Sequence, residues 1–126
     1  MRRCSAVSEV MMEKLSFETL IPRAAELFSV LSEDTRLRIL ISILNREKSV
    51  SEIVNEIGIS QSAISHQLRH LRQLGIVRYR RSGKNILYAL DDNHVRNILI
   101  QVFEHVAHKS VEYDETLWRE NNEAQK

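Results

Sequence analysis

Three of the chain's five histidines, His94, His105 and His108, share the segment DDNHVRNILIQVFEHVAHK, which opens with Asp91 and Asp92. Neutral imidazole nitrogens and a carboxylate oxygen are ligands for a divalent metal, and a set of three nitrogens and one oxygen suits tetrahedral Zn(II). The apolar residues between the histidines predict a helix starting near Asp91. On a helix that turns ~100° per residue, His94 and His105 fall within ~20° of each other, and His108 keeps to that stripe one turn on. Along the axis, however, His94 and His105 lie ~16 Å apart, whereas zinc–nitrogen bonds are ~2 Å long. One helix cannot bring all three to one ion. Two copies packed antiparallel can, with Asp92 and His94 of one chain beside His105 and His108 of the other. Two-fold symmetry then makes two sites per dimer. The plainer readings are Asp91 or Asp92 as a helix N-cap, and His105 and His108 as polar residues on an exposed face. Four donors at this spacing favour the metal site.

The elements that must carry these residues read as one small, mainly helical domain. A chain of 126 residues fits a single domain. Three glycines and one proline argue against a mainly β or loop-rich chain. No apolar run approaches the ~18 residues of a membrane span, and MRRCSAVSEV has no apolar core behind its basic start, so neither a membrane anchor nor a secretory leader is expected. A single cysteine, Cys4, excludes an intramolecular disulfide framework and fits a reducing cytoplasm. Residues 1–17 are expected to form an arm, 18–109 the folded domain with its histidine helix, and 110–126 a polar tail, partly helical and then disordered.

Within the domain, ETLIPRAAELFSVL has a helical stripe of Leu20, Ile21, Ala24, Leu27, Phe28 and Leu31, with Pro22 expected in the first turn. SEDTRLRILISILNR follows, with Ser32, Asp34 or Thr35 as candidate caps and Leu37, Ile39, Leu40, Ile43 and Leu44 facing a core. SVSEIVNEIG predicts a short helix capped by Ser49 or Ser51 and stopped by Gly58. ISQSAISHQLRHLRQLG predicts another, from the cap Ser60 to Gly75, that buries Ile64, Leu68 and Leu71. Two strands then flank a Ser-Gly-Lys-Asn turn.

The charge distribution says more than the net charge of +1. No acidic residue lies between Glu56 and Asp91, a window that holds Arg69, Arg72, Arg78, Arg80, Arg81 and Lys84. A neutral protein can present a phosphate-binding face from such a stretch, although a solvated charged face is the simpler alternative. The order decides between them. A short helix, a glycine turn and a second helix have helix-turn-helix spacing. The second helix carries Gln61, Ser62, Ser65, His66, Arg69 and Arg72 on its polar face, with the small polar groups at the end that meets base edges in a major groove. A basic hairpin next in sequence makes a wing, from which Arg80, Arg81 and Lys84 can reach backbone or minor groove.

LSEDTRLRILISIL, SVSEIVNEIGISQSAISHQLRHLRQLGIVRYRRSGKNILYAL and the histidine helix together resemble the ArsR/SmtB family of bacterial metal-sensing repressors. The resemblance spans about Leu20 to His108, and SQSAISHQLRHLRQLGIV is its most family-like run. It implies an α+β winged helix-turn-helix homodimer, mainly α with a small hairpin, joined through its first and last helices. It also implies repression of a metal efflux or detoxification operon: the metal-free dimer binds double-stranded operator DNA and Zn(II) at the dimer interface releases it. The spacing D-x-H, ten residues, H-x-x-H resembles the C-terminal-helix site of the family's zinc sensors, at Asp92, His94, His105 and His108. The resemblance further implies a signal route from His105 to a backbone carbonyl near Gly75. Co(II) is the expected surrogate metal, and ligation should weaken as pH falls because protonated imidazole cannot bind metal.

Other assignments fit less well. His66 and His70 are an i, i+4 pair with no carboxylate nearby, on the helix expected to read DNA. Family members with a second sensing site place cysteines in the helix before the recognition helix; SVSEIVNEIG has none. A nickel or cobalt sensor would need further ligands, for which Glu104 or Glu112 are candidates. A redox or other non-metal regulator of this fold would normally use paired cysteines, and Cys4 is alone. An enzyme is not expected: no general base stands beside the ligands, four ligands leave no open metal position, and no small organic substrate is implied.

Overall fold

In the computed structural model, residues 16–123 are described, apart from the side chains of 112–118 and 121. Cys4, most of the expected arm and the Glu112 side chain lie outside the described residues. Helices α1 (Phe17–Leu31), α2 (Asp34–Ser42), α3 (Val50–Ile57) and α4 (Gln61–Gln73) precede a hairpin of β2 (Val77–Ser82) and β3 (Asn85–Leu90), and α5 (Asn93–Glu123) follows. A two-residue strand, β1 (Lys48–Ser49), pairs antiparallel with β3 and makes the sheet order β1-β3-β2. Nothing in the sequence announced β1, since two residues show no periodicity.

The chain divides into two compact units, one running to Asn93 and the other from His94. In the first, Ile39, Leu40, Ile53, Ile64, Leu68 and Leu71 have no exposed surface, and Ile76 and Val77 almost none. Each such side chain removes enough apolar area from water to stabilise the fold by ~1.5–3 kcal/mol before entropy is counted. Leu37 and Leu44, expected in the core, are only half-buried.

Local chemistry sets the element ends. Ser49 and Glu52 form a reciprocal capping box at the start of α3. Ser60 caps α4 by accepting from the Ala63 N–H at 3.3 Å. Gly58 and Gly75 both take the left-handed conformation that L side chains avoid, at φ 81° and 71°. At Gly75 the motif is complete: Gly75 N–H donates to Arg72 C=O and Ile76 N–H to Leu71 C=O, both at 3.0 Å, so the last carbonyls of α4 are satisfied.

Three expectations need correction. The α2 cap is Glu33, whose carboxylate accepts from the N–H groups of Thr35 at 3.0 Å and Arg36 at 2.9 Å. A glutamate is long enough to satisfy two orphan donors at once, and these two bonds hold its carboxyl below the ordinary range. Pro22 lies inside α1 past the first turn, because the helix begins at Phe17. The α1 stripe also splits: Leu31 is buried, Leu20 and Leu27 are half-buried, while Ile21, Ala24 and Phe28 are exposed. Helix α5 spans 31 residues to Glu123, with no glycine or proline to interrupt it, and so includes part of the expected tail.

Candidate nucleic-acid interface and metal centre

Helix α4 offers two faces. Ile64, Leu68 and Leu71 are sealed in the core, and Gln61, Ser62, His66 and Arg69 are exposed on the other side, with Ser65 half-buried. Its first turn has no acidic residue, so its amide dipole is left for a phosphate or a base edge. A hydrogen bond the sequence did not suggest braces it: Arg36 Nε on α2 donates to Gln67 Oε1 at 2.9 Å.

The wing sorts its cations by face. Successive strand residues point to opposite sides of a sheet, so Tyr79 and Arg80 diverge. The Arg72 guanidinium of α4 lies over the Tyr79 ring, 4.5 Å from its centre, and Tyr79 tilts against Tyr88 with ring centres 6.1 Å apart. Arg72, expected on the phosphate-facing side, is thus a strut between recognition helix and wing. Arg80 leaves from the opposite face. Its Nε lies 3.0 and 2.9 Å from the two carboxylate oxygens of Glu47, and a terminal nitrogen also binds Glu47 Oε1. The pair holds the Glu47 carboxyl below, and Arg80 above, their ordinary ranges. Arg81 and Lys84 are exposed near the turn. Sequence reading missed Glu47 because it stands 33 positions from Arg80.

On α5, Asp92 directly precedes the first helical residue, and His94 is the second. Asp92, His94, His105 and His108 are all exposed. Among the described residues, no group of three metal-capable side chains is assembled within the chain. Along α5, His94 and His105 are ~16 Å apart by helical rise, and His108 lies one turn beyond His105. An apolar line runs beside them. Val95 and Leu99 are buried, but Val102 and Val106, within ~60° of them on the helix, are 49% and 54% exposed, and Phe103 is 45% exposed. On α1, Phe17, Ile21 and Phe28 share a stripe ~40° wide and are 57–69% exposed.

Comparison with known proteins assigns the fold to a family. The description "Bacterial regulatory protein, arsR family" matches residues 33–79. A Synechocystis protein, "Transcriptional repressor SmtB homolog", is 39% identical over 100 residues, covering 79% of this chain and 75% of that one. The chain belongs to the ArsR family of bacterial regulatory proteins. A Staphylococcus aureus relative, "Cadmium resistance transcriptional regulatory protein CadC homolog", is 42% identical over 82 residues, covering 64% of this chain and 68% of that protein. Among solved structures, the homodimeric winged helix-turn-helix DNA-binding domain of a possible ArsR-family regulator from Mycobacterium bovis superposes with a TM-score of 0.66. It is 26% identical, over 75% of this chain and 86% of that one. This ArsR-family chain is accordingly a transcriptional regulator of winged helix-turn-helix fold and not an enzyme. No helix among its described residues is long and apolar enough to cross a membrane.

Proposed function

We propose that this ArsR-family protein is a homodimeric, metal-responsive repressor. Its metal-free form binds operator DNA, and Zn(II), two ions per dimer, releases it. One observation carries this reading: four exposed donors of an N₃O set stand in two halves that one chain cannot join, beside an apolar line left uncovered. A second copy of α5, antiparallel to the first, covers the line and joins Asp92 and His94 of one subunit to His105 and His108 of the other. The exposed stripe of α1 is a second apolar surface, and the first and last helices are the expected dimer contacts. The relatives named for repression and cadmium resistance support the metal response and the regulated function.

In this reading Gln61, Ser62, Ser65 and His66 face base edges, and Arg69, Arg81 and Lys84 hold phosphates. Metal bound across the two α5 helices favours a dimer shape that fits DNA poorly. Coupling of this kind is typically ~1–3 kcal/mol and is reciprocal, so operator DNA weakens metal binding by the same factor.

The test is a Co(II) titration of the purified metal-free protein, followed by visible absorbance. Intense tetrahedral bands saturating at one equivalent per chain, without thiolate charge transfer, support the Asp92, His94, His105 and His108 site and exclude Cys4. Weak six-coordinate bands move the assignment to a nickel or cobalt sensor recruiting a carboxylate such as Glu104. The His105→Ala variant should keep its DNA affinity and lose its response to Zn(II); a normal response would overturn the site.

A further inference from the structure

The pairing of Arg80 with Glu47 changes what the wing can do. Arg80 stands in the acid-free basic window, yet a carboxylate from the loop before β1 occupies the edge of its guanidinium. A carboxylate and a phosphate compete for that same fork of donors. Glu47 also lies on the same sheet face as Arg78, whose charge adds to the depression of its carboxyl. Glu47, Arg78, Tyr79, Arg80, Leu87 and Ala89 line an open cavity of about 390 Å³. The pair is reachable by water and by a ligand: the Arg80 side chain is 59% exposed and that of Glu47 34%. Strand β2 is an edge of the sheet, so a released Arg80 can turn round that edge toward a DNA backbone lying along the wing.

We propose that Glu47 is an internal stand-in for DNA phosphate, which occupies Arg80 in the free protein and thereby sets the wing's contribution to DNA affinity and its salt dependence. The inference rests on the DNA-binding reading above. With Glu47 in place, a phosphate must displace a carboxylate before Arg80 can serve it. Exposed pairs are weak, so the displacement tunes affinity and does not abolish binding. Arg81 and Lys84, which have no such carboxylate drawn across them among the described residues, carry the standing phosphate attraction of the wing.

A double-mutant cycle of Glu47→Gln and Arg80→Gln tests this, using the metal-free full chain and a fluorescently labelled mixed-sequence duplex across a range of salt concentrations. Glu47→Gln should tighten binding by up to about fivefold per chain at low salt. It should also steepen the slope of log affinity against log salt by ~0.9 per added phosphate contact. In the Arg80→Gln background the same substitution should do neither. Equal tightening in both backgrounds would show that Glu47 repels DNA without masking Arg80, and would overturn the proposal. Weaker binding of Glu47→Gln would show that the pair holds the wing in place, and would also overturn it. Failure of the wild type to bind the duplex at any salt would count against the DNA-binding reading itself, apart from the role of Glu47. Unchanged circular dichroism and melting of each variant keep the comparison free of folding defects.

Discussion

The α3–α4 helix pair and the α5 helix place their polar side chains under opposite conditions. In α3–α4 every local requirement is met inside one chain: Ser49 and Glu52 cap one helix, Ser60 the other, and Ile53, Ile64, Leu68 and Leu71 close the core beneath them. Its exposed face is free to meet a ligand because its buried face needs nothing more. Helix α5 is incomplete by the same standard. Among the described residues no three metal-capable side chains come together, and Val102, Phe103 and Val106 are exposed. Under the proposed function, the first is a reading head complete within one chain and the second a sensing element completed by a partner.

Damage to the two regions should therefore separate cleanly. The largest expected effect is in the reading head, where Leu68→Ala empties a fully buried position. It should cost ~2–5 kcal/mol of stability, read as a lower urea midpoint, with DNA binding lost along with the fold. Next, Phe103→Glu on α5 places an unpaired charge in the proposed interface. Self-association should weaken by at least about a hundredfold in sedimentation equilibrium, while the helical content of the chain survives. An unaltered dimer would move the interface elsewhere.

Smaller perturbations sharpen the same contrast. Ser49→Ala removes the capping box of α3 and should cost ~1 kcal/mol in thermal melts, with metal stoichiometry unchanged. Acid provides the mildest probe. Glu33, held down by the Arg36 and Thr35 amides, and Glu56, held down by Lys48 and then Ser42, both have lowered values in the fold. A lowered value means that the unfolded chain takes up the proton first. Their stabilisation is therefore present above the ordinary glutamate value of 4.5 and is lost as pH falls through the lowered values beneath it. Urea midpoints should fall across that acidic window, and Glu33→Gln should flatten the decline.

Most of the fold was legible because its signals are local. A cap, a left-handed glycine and a periodic stripe each act over about four residues, and Ser60, Gly75 and the line Ile64, Leu68, Leu71 marked α4 from end to end. The helix that carries His94, His105 and His108 was legible for the same reason, since its apolar residues recur at helical spacing. Where a signal depended on a choice between neighbours the reading slipped, as at the α2 cap, where the longer reach of Glu33 won over Ser32, Asp34 and Thr35.

The sequence by itself determined the winged helix-turn-helix order, the sealed face of α4 and the impossibility of one α5 helix bringing His94, His105 and His108 to one ion. All of these follow from rise, turn and hydrophobic period. Only the tertiary structure decided which cations are committed to partners. Arg36 is tied to Gln67, Arg72 to the Tyr79 ring and Arg80 to Glu47. The reason is physical: long charged side chains have little directional preference of their own, and their partners are whichever groups the packed backbone brings within reach.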